Sequence, residues 1–138
     1  MKNQKERIED KIEEIEEYLS RLTEIIPATF EIYKQNSTIK AACERYAEII
    51  IEGFVDLAFL FIKEKKLSVP EDDPQAFDIL AKKEIITFDL AKKLKEAKGM
   101  RNILAHEYGK IDDELVYHAI AEQLEPDTRE FIEQIINK

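Results

Sequence analysis

The chain has 138 residues, a formal net charge of −9, one cysteine, three glycines and four prolines. This length suits a single domain, residues 1–138, with a real core, and one cysteine rules out an internal disulfide and fits a reducing compartment. The acidic balance excludes a surface that grips nucleic acid over its whole extent.

The richest apolar stretch, "IIIEGFVDLAFLFI", carries Glu52 and Asp56 and falls short of the ~18–20 apolar residues a membrane span needs. The opening "MKNQKERIEDK" has no apolar segment of the kind a signal peptide carries, so a cytoplasmic protein with no membrane association is expected. Scarce Gly and Pro, with abundant Glu, Lys, Ile, Leu and Ala, favour helix throughout.

In chain order, Ile8, Ile12, Ile15, Leu19, Leu22 and Ile26 recur at spacings of 4, 3, 4, 3 and 4, one apolar stripe on a helix with an acidic outer face. Pro27 should break or kink it. "NST" at 36–38 offers capping oxygens for a long second helix to about Leu67, apolar on most sides and therefore central. Asp73 followed by Pro74 reads as the cap and first residue of a short third helix through about Lys83. Thr87 can cap a fourth helix ending near Gly109. Asp112 can cap a fifth, with Leu115, Ile120 and Leu124 on its apolar face. Pro126 interrupts that pattern and predicts a kink or a fresh start. The expected fold is all-α, an up-and-down bundle of four to five helices.

The fourth helix ends in "KGMRNILAHEYGK". Arg101 and His106 are five residues apart, about 140° around an ideal helix. One helix does not converge them on a small ligand, whereas two copies meeting across a two-fold axis would. Gly99 costs ~1 kcal/mol in a helix interior, which hints at close packing. Residues 82–101 carry seven Lys or Arg against three acids, leading into this cluster; an ordinary solvated helix face would look the same. Histidine exchanges protons near neutral pH, and arginine can hold a phosphate and steady charge developing on its oxygens. Together they suffice for a metal-free attack of an RNA 2′-hydroxyl on its neighbouring phosphate. Asn102 could orient either partner, and Tyr108 could bond a phosphate oxygen. A purely structural role stays open: a cation at a helix C-terminus is favoured by ~0.3–1 kcal/mol.

"RNILAHEY" matches the Arg-x4-His-x-Tyr signature of HEPN-domain proteins of the HepT type, toxins paired with minimal nucleotidyltransferase (MNT) antitoxins. "KAACERYAEIIIEGFVDLAFLFI" resembles that family's long second helix, and "DPQAFDILAKKEIITFDLAKKLKEAKGMRN" the helix pair that follows. The resemblance runs over residues 4–136. It implies a HEPN-like homodimer with both motifs lining one cleft, and a metal-independent endoribonuclease whose catalytic residues would be Arg101 and His106. It also implies neutralisation by a cognate nucleotidyltransferase, through AMP transfer to the motif tyrosine, here Tyr108. A nucleotide there would obstruct the cleft and compete for Arg101.

Glu52 and Asp56 lie one turn apart in the most apolar helix, where carboxylates need partners. They are expected either to face the motif helix and hold Arg101 or His106 in position, or to lie on its exposed stripe. Cys43 reads as a packed small residue, and His118 as structural or surface. Two histidines and one cysteine make no metal set, and there is no glycine-rich phosphate loop. No metal or cofactor is expected. The reading from a different class is a non-catalytic helical module that partners a nucleotidyltransferase or recognises a nucleotide or RNA; a plain assembly protein built on the first helix comes third.

Overall fold

A computed structural model describes residues 1–106, 109 and 111–138. Five long helical runs and one short helix make up its regular structure, and no strand occurs among the described residues. Helix α1 (Gln4–Ile25) starts at Asn3, whose side chain accepts from the Glu6 N–H, and buries Ile8, Ile12, Ile15, Leu19 and Leu22. It stops where Pro27 requires: Ile26 turns extended, with ψ 124°, as the residue before a proline must.

Between Pro27 and the long helix lies α2 (Phe30–Gln35), a single short helix capped by Thr29 that the sequence pattern did not reveal. Asn36 ends α2 and caps α3 (Ser37–Glu64), accepting the Ile39 N–H at 3.0 Å. The 28 residues of α3 form the centre, with eleven of them buried, and α1, α2, α4, α5 and α7 all pack on it. Helix α1 approaches it tightly at Gly53, where a Cβ would stand 2.6 Å from Ile15 Cγ1.

Helix α4 (Asp73–Lys82) is capped by Asp72, one residue earlier than expected, leaving Asp73 as its first helical residue. Thr87 caps α5 (Phe88–His106) as foreseen, accepting the Leu90 N–H at 3.1 Å. The last run is α6 (Asp113–His118), a π-helical segment (Ala119–Gln123) and α7 (Leu124–Ile136), in unbroken succession. Asp112 caps it. The expected disturbance at Pro126 therefore takes the form of a wide turn just ahead of it. A proline ring crowds the carbonyl four residues back, Glu122, which lies inside the π segment, where the backbone is widened. Phe131 of α7 meets Phe54 of α3 and Phe77 of α4 edge to face, with ring centroids at 5.8 and 6.3 Å. The Tyr117 hydroxyl donates to the Pro27 carbonyl at 2.7 Å, fastening α6 to the α1–α2 turn.

Candidate active site

Helix α5 carries Arg101, Asn102 and His106. Its inner face buries Leu90, Ala91, Leu94, Lys98 and Leu104, which fixes the rotation of the helix and hence where the rest point. Arg101 lies on the same side, half-buried. Asn102 and His106 are exposed. The helical offset of about 140° between Arg101 and His106 is thus realised as a difference in burial: the guanidinium leans on the bundle while the imidazole faces out. Tyr108 lies outside the described residues.

Glu52, on α3, reaches the motif helix. Its Oε1 lies 2.7 Å from Arg101 Nε and accepts from Lys98 Nζ at 3.1 Å. The Nε–H does not point at that oxygen, so the Arg101 contact is an ion pair rather than a linear hydrogen bond. It engages Nε, so Nη1 and Nη2 are the nitrogens with which the fork would grip a phosphate. Asp56 does not share this place. It pairs with Lys11 of α1 at 3.3 Å, not with the motif helix. Of the two placements expected, Glu52 takes the one facing the motif helix, while Asp56 is exposed and away from the motif. Two residues one turn apart on a central helix meet different neighbours because a helix packs on both sides of them.

The lysine-rich approach to the motif is also not a free basic stripe. Lys95 reaches Asp78 of α4 at 2.8 Å, Lys98 reaches Asp73 of α4 at 3.2 Å, and Lys93 lies 3.9 Å from Glu130 of α7. Carboxylates of α4 and α7, with Glu52 of α3, offset charge that a linear count left unbalanced. Sequence reasoning missed the part that Lys98 and Asp73 play here. Lys98 stood only in a charge total and Asp73 only as a cap, although Lys98 precedes Arg101 by three residues and so shares its face.

Gly99, expected to permit close packing, has open space beside it: a Cβ there would meet nothing within 4 Å. It borders a groove of about 780 Å³ between α5 and the α6–π–α7 run, lined with Met100, Ile103, Leu115 and Val116. Ile103 and Leu115 are large apolar side chains left exposed.

The remaining candidates fall into place simply. Cys43 is fully buried, and burial pushes its thiol up to about 11. His118 is half-exposed, with Nδ1 3.1 Å from Glu122 Oε2. Tyr33 is fully buried, Tyr18 and Tyr46 are partly so, and Phe88 is exposed. Among the described residues no helix is long and apolar enough to cross a membrane.

Comparison with known proteins finds sequence relatives and solved structures of the same fold. The family model for HepT-like ribonucleases matches residues 15–135. An mRNA nuclease HepT of Shewanella oneidensis is 29% identical over 103 residues, covering 75% of this chain and 77% of that protein. A tRNA nuclease HepT of Aphanizomenon flos-aquae is 30% identical over 114 residues, covering 83% and 78%. Among solved structures, the tri-AMPylated HEPN toxin of Shewanella oneidensis in complex with its MNT antitoxin superposes with a TM-score of 0.88 at 26% identity, covering 100% of each chain.

Proposed function

Because the chain belongs to the HepT-like ribonuclease family, we propose that it is the endoribonuclease toxin of a toxin–antitoxin pair, acting in the cytoplasm. Arg101 and His106 are its catalytic residues. The observation that carries this reading is the pairing of a guanidinium held by Glu52 at 2.7 Å with an exposed imidazole one and a half turns further along the same helix.

The chemistry needs no metal. The 2′-oxygen of an RNA ribose attacks the adjacent phosphorus and gives its proton to an imidazole. The bond from phosphorus to the 5′-oxygen breaks, and that oxygen takes up a proton from a second donor. Arg101 holds the non-bridging oxygens as charge builds on them. Asn102 orients the phosphate or the imidazole. In one chain Arg101 and His106 diverge, so the working cleft is a homodimer's, with the second copy supplying the missing pair. The bare backbone at Gly99 beside exposed Ile103 and Leu115 supports an intermolecular contact near the motif.

The relatives' names support the partner. A cognate MNT nucleotidyltransferase binds the toxin and transfers AMP to Tyr108, placing an anionic nucleotide two residues from His106, where it blocks the cleft and competes for Arg101.

Purified protein incubated with RNA in EDTA tests this directly. Wild type cleaves, while His106→Ala and Arg101→Ala lose on the order of 100-fold or more in rate with helicity and dimerisation unchanged. No cleavage by wild type whose mass shows an unmodified Tyr108 would replace the enzyme with a binding module for RNA or nucleotidyltransferase.

A further inference from the structure

Among the described residues Lys98 is the one charged side chain in the buried set, 8% exposed, and it lies one turn before Arg101. A buried ammonium is costly unless its charge is met, and here it is met twice. Nζ donates to Glu52 Oε1 at 3.1 Å and lies 3.2 Å from Asp73 Oδ2. Glu52 Oε1 is the same oxygen that touches Arg101 Nε at 2.7 Å. Two cations of α5 and two carboxylates, one from α3 and one from the first turn of α4, thus form a single balanced cluster.

We propose that Lys98, anchored by Asp73, is a positioning residue for the RNA-cleaving reaction: it holds Glu52 in place, and through Glu52 it sets the plane of the Arg101 guanidinium. The inference rests on the ribonuclease reading of Arg101.

The physical argument is one of competition. A carboxylate paired with Arg101 alone would be drawn along when the guanidinium turns towards a phosphate, or would hold it back. A second cation on the same oxygen gives Glu52 a fixed partner. Lys98 is that partner, because it is buried and tied on its other side to α4. Arg101, only half-buried, is held at Nε against that fixed oxygen, which leaves Nη1 and Nη2 turned to a phosphate. Asp73 balances Lys98 so that Glu52 need not neutralise it alone. The cluster also joins α3, α4 and α5 at the level of the motif. Lys98 itself is too enclosed to touch RNA, so its loss acts on turnover rather than on substrate binding.

The test is Lys98→Met, which keeps the length and apolar stem of the side chain, measured for kcat and KM on RNA beside Lys98→Arg, Glu52→Gln and the double variant Lys98→Met/Glu52→Gln. Expected is a roughly tenfold fall in kcat for Lys98→Met, with KM within twofold. Lys98→Arg should recover most of it, and the double variant should be no slower than Glu52→Gln alone. Unchanged kcat in folded Lys98→Met, or a full further loss in the double variant, overturns the proposal. So does a rise in KM as large as the fall in kcat, since that marks a phosphate contact. Should Lys98→Met not fold, Asp73→Asn is read the same way. Relaxation of the Arg101 Nε nitrogen by NMR gives a reading independent of cleavage. A side chain ordered in wild type and loosened in Lys98→Met supports the clamp even if wild type cuts no RNA, and equal order in both overturns it.

Discussion

Two glycines show how one residue type can sit in opposite surroundings. At Gly53 the helices α1 and α3 touch, and a methyl would stand 2.6 Å from Ile15 Cγ1. Ile15 is itself buried, so the pair cannot relax outward. Gly53→Ala should destabilise the fold by about 1–3 kcal/mol through overpacking. Gly99 faces open space, so Gly99→Ala should instead stabilise the isolated chain by up to about 1 kcal/mol, the ordinary helix gain. Denaturant unfolding of the two variants beside wild type decides both. A destabilising Gly99→Ala at dilute concentration would mean that α5 packs differently from the arrangement described. Cys43 is the third instructive position: with its thiol pushed up to about 11 by burial, it should resist alkylation at pH 8 in the folded protein and react on unfolding.

At the scale of elements, the last helical run shows most clearly what a proline does inside a helix. The π segment ahead of Pro126 lets the run continue to Ile136, with Thr128, fully buried, donating its hydroxyl to the Leu124 carbonyl at 2.6 Å. The carboxyl of Asp127, in the first turn of α7, is pushed above the usual carboxylate range by burial. Lys93 acts in the opposite sense, and Glu130, Glu96 and Asp89 add to the rise. A raised value in the fold means the folded chain binds this proton more tightly than the unfolded chain does. Protonation therefore favours folding: the contribution is fully present below the unfolded value and is lost as pH rises through the folded one. Asp127→Asn, which resembles the protonated form, should raise the Tm at pH 7 and leave it unchanged in acid below the ordinary carboxylate range. Equal Tm values at pH 7 would remove Asp127 as a destabilising charge.

For the whole molecule, the proposed function turns on the divergence of Arg101 and His106 on α5, the one half-buried and the other exposed. A composite cleft makes a specific forecast. Arg101→Ala and His106→Ala homodimers should each be inactive, yet mixing and re-equilibrating the two should restore part of the RNA cleavage, because a heterodimer supplies one intact arginine and one intact histidine to the shared cleft. Mixtures that stay as inactive as their components would show that each copy needs its own pair. The net charge of −9 belongs to this scale too. In the proposed dimer this charge would keep polyanions off most of the surface and leave RNA to the few cations near Arg101, so KM should rise with salt only as far as those contacts allow.

The sequence by itself determined the helical class, the stripe of α1, the stop at Pro27, the caps at Asn36, Thr87 and Asp112, and the motif on α5. Each of these rests on residues within one or two turns of one another, where periodicity, proline sterics and side-chain capping act without help from the rest of the chain. Short-range signals failed where they were weak or displaced: α2 is too brief to show a period, and two adjacent aspartates competed to cap α4, Asp72 winning. Only the tertiary structure decided that Glu52 meets Arg101 while Asp56 meets Lys11, and that Lys98 is buried between two carboxylates rather than solvated on a basic face. Those outcomes depend on which helices pack beside one another, and ion pairs between residues 25 to 49 positions apart leave no periodic trace along the chain.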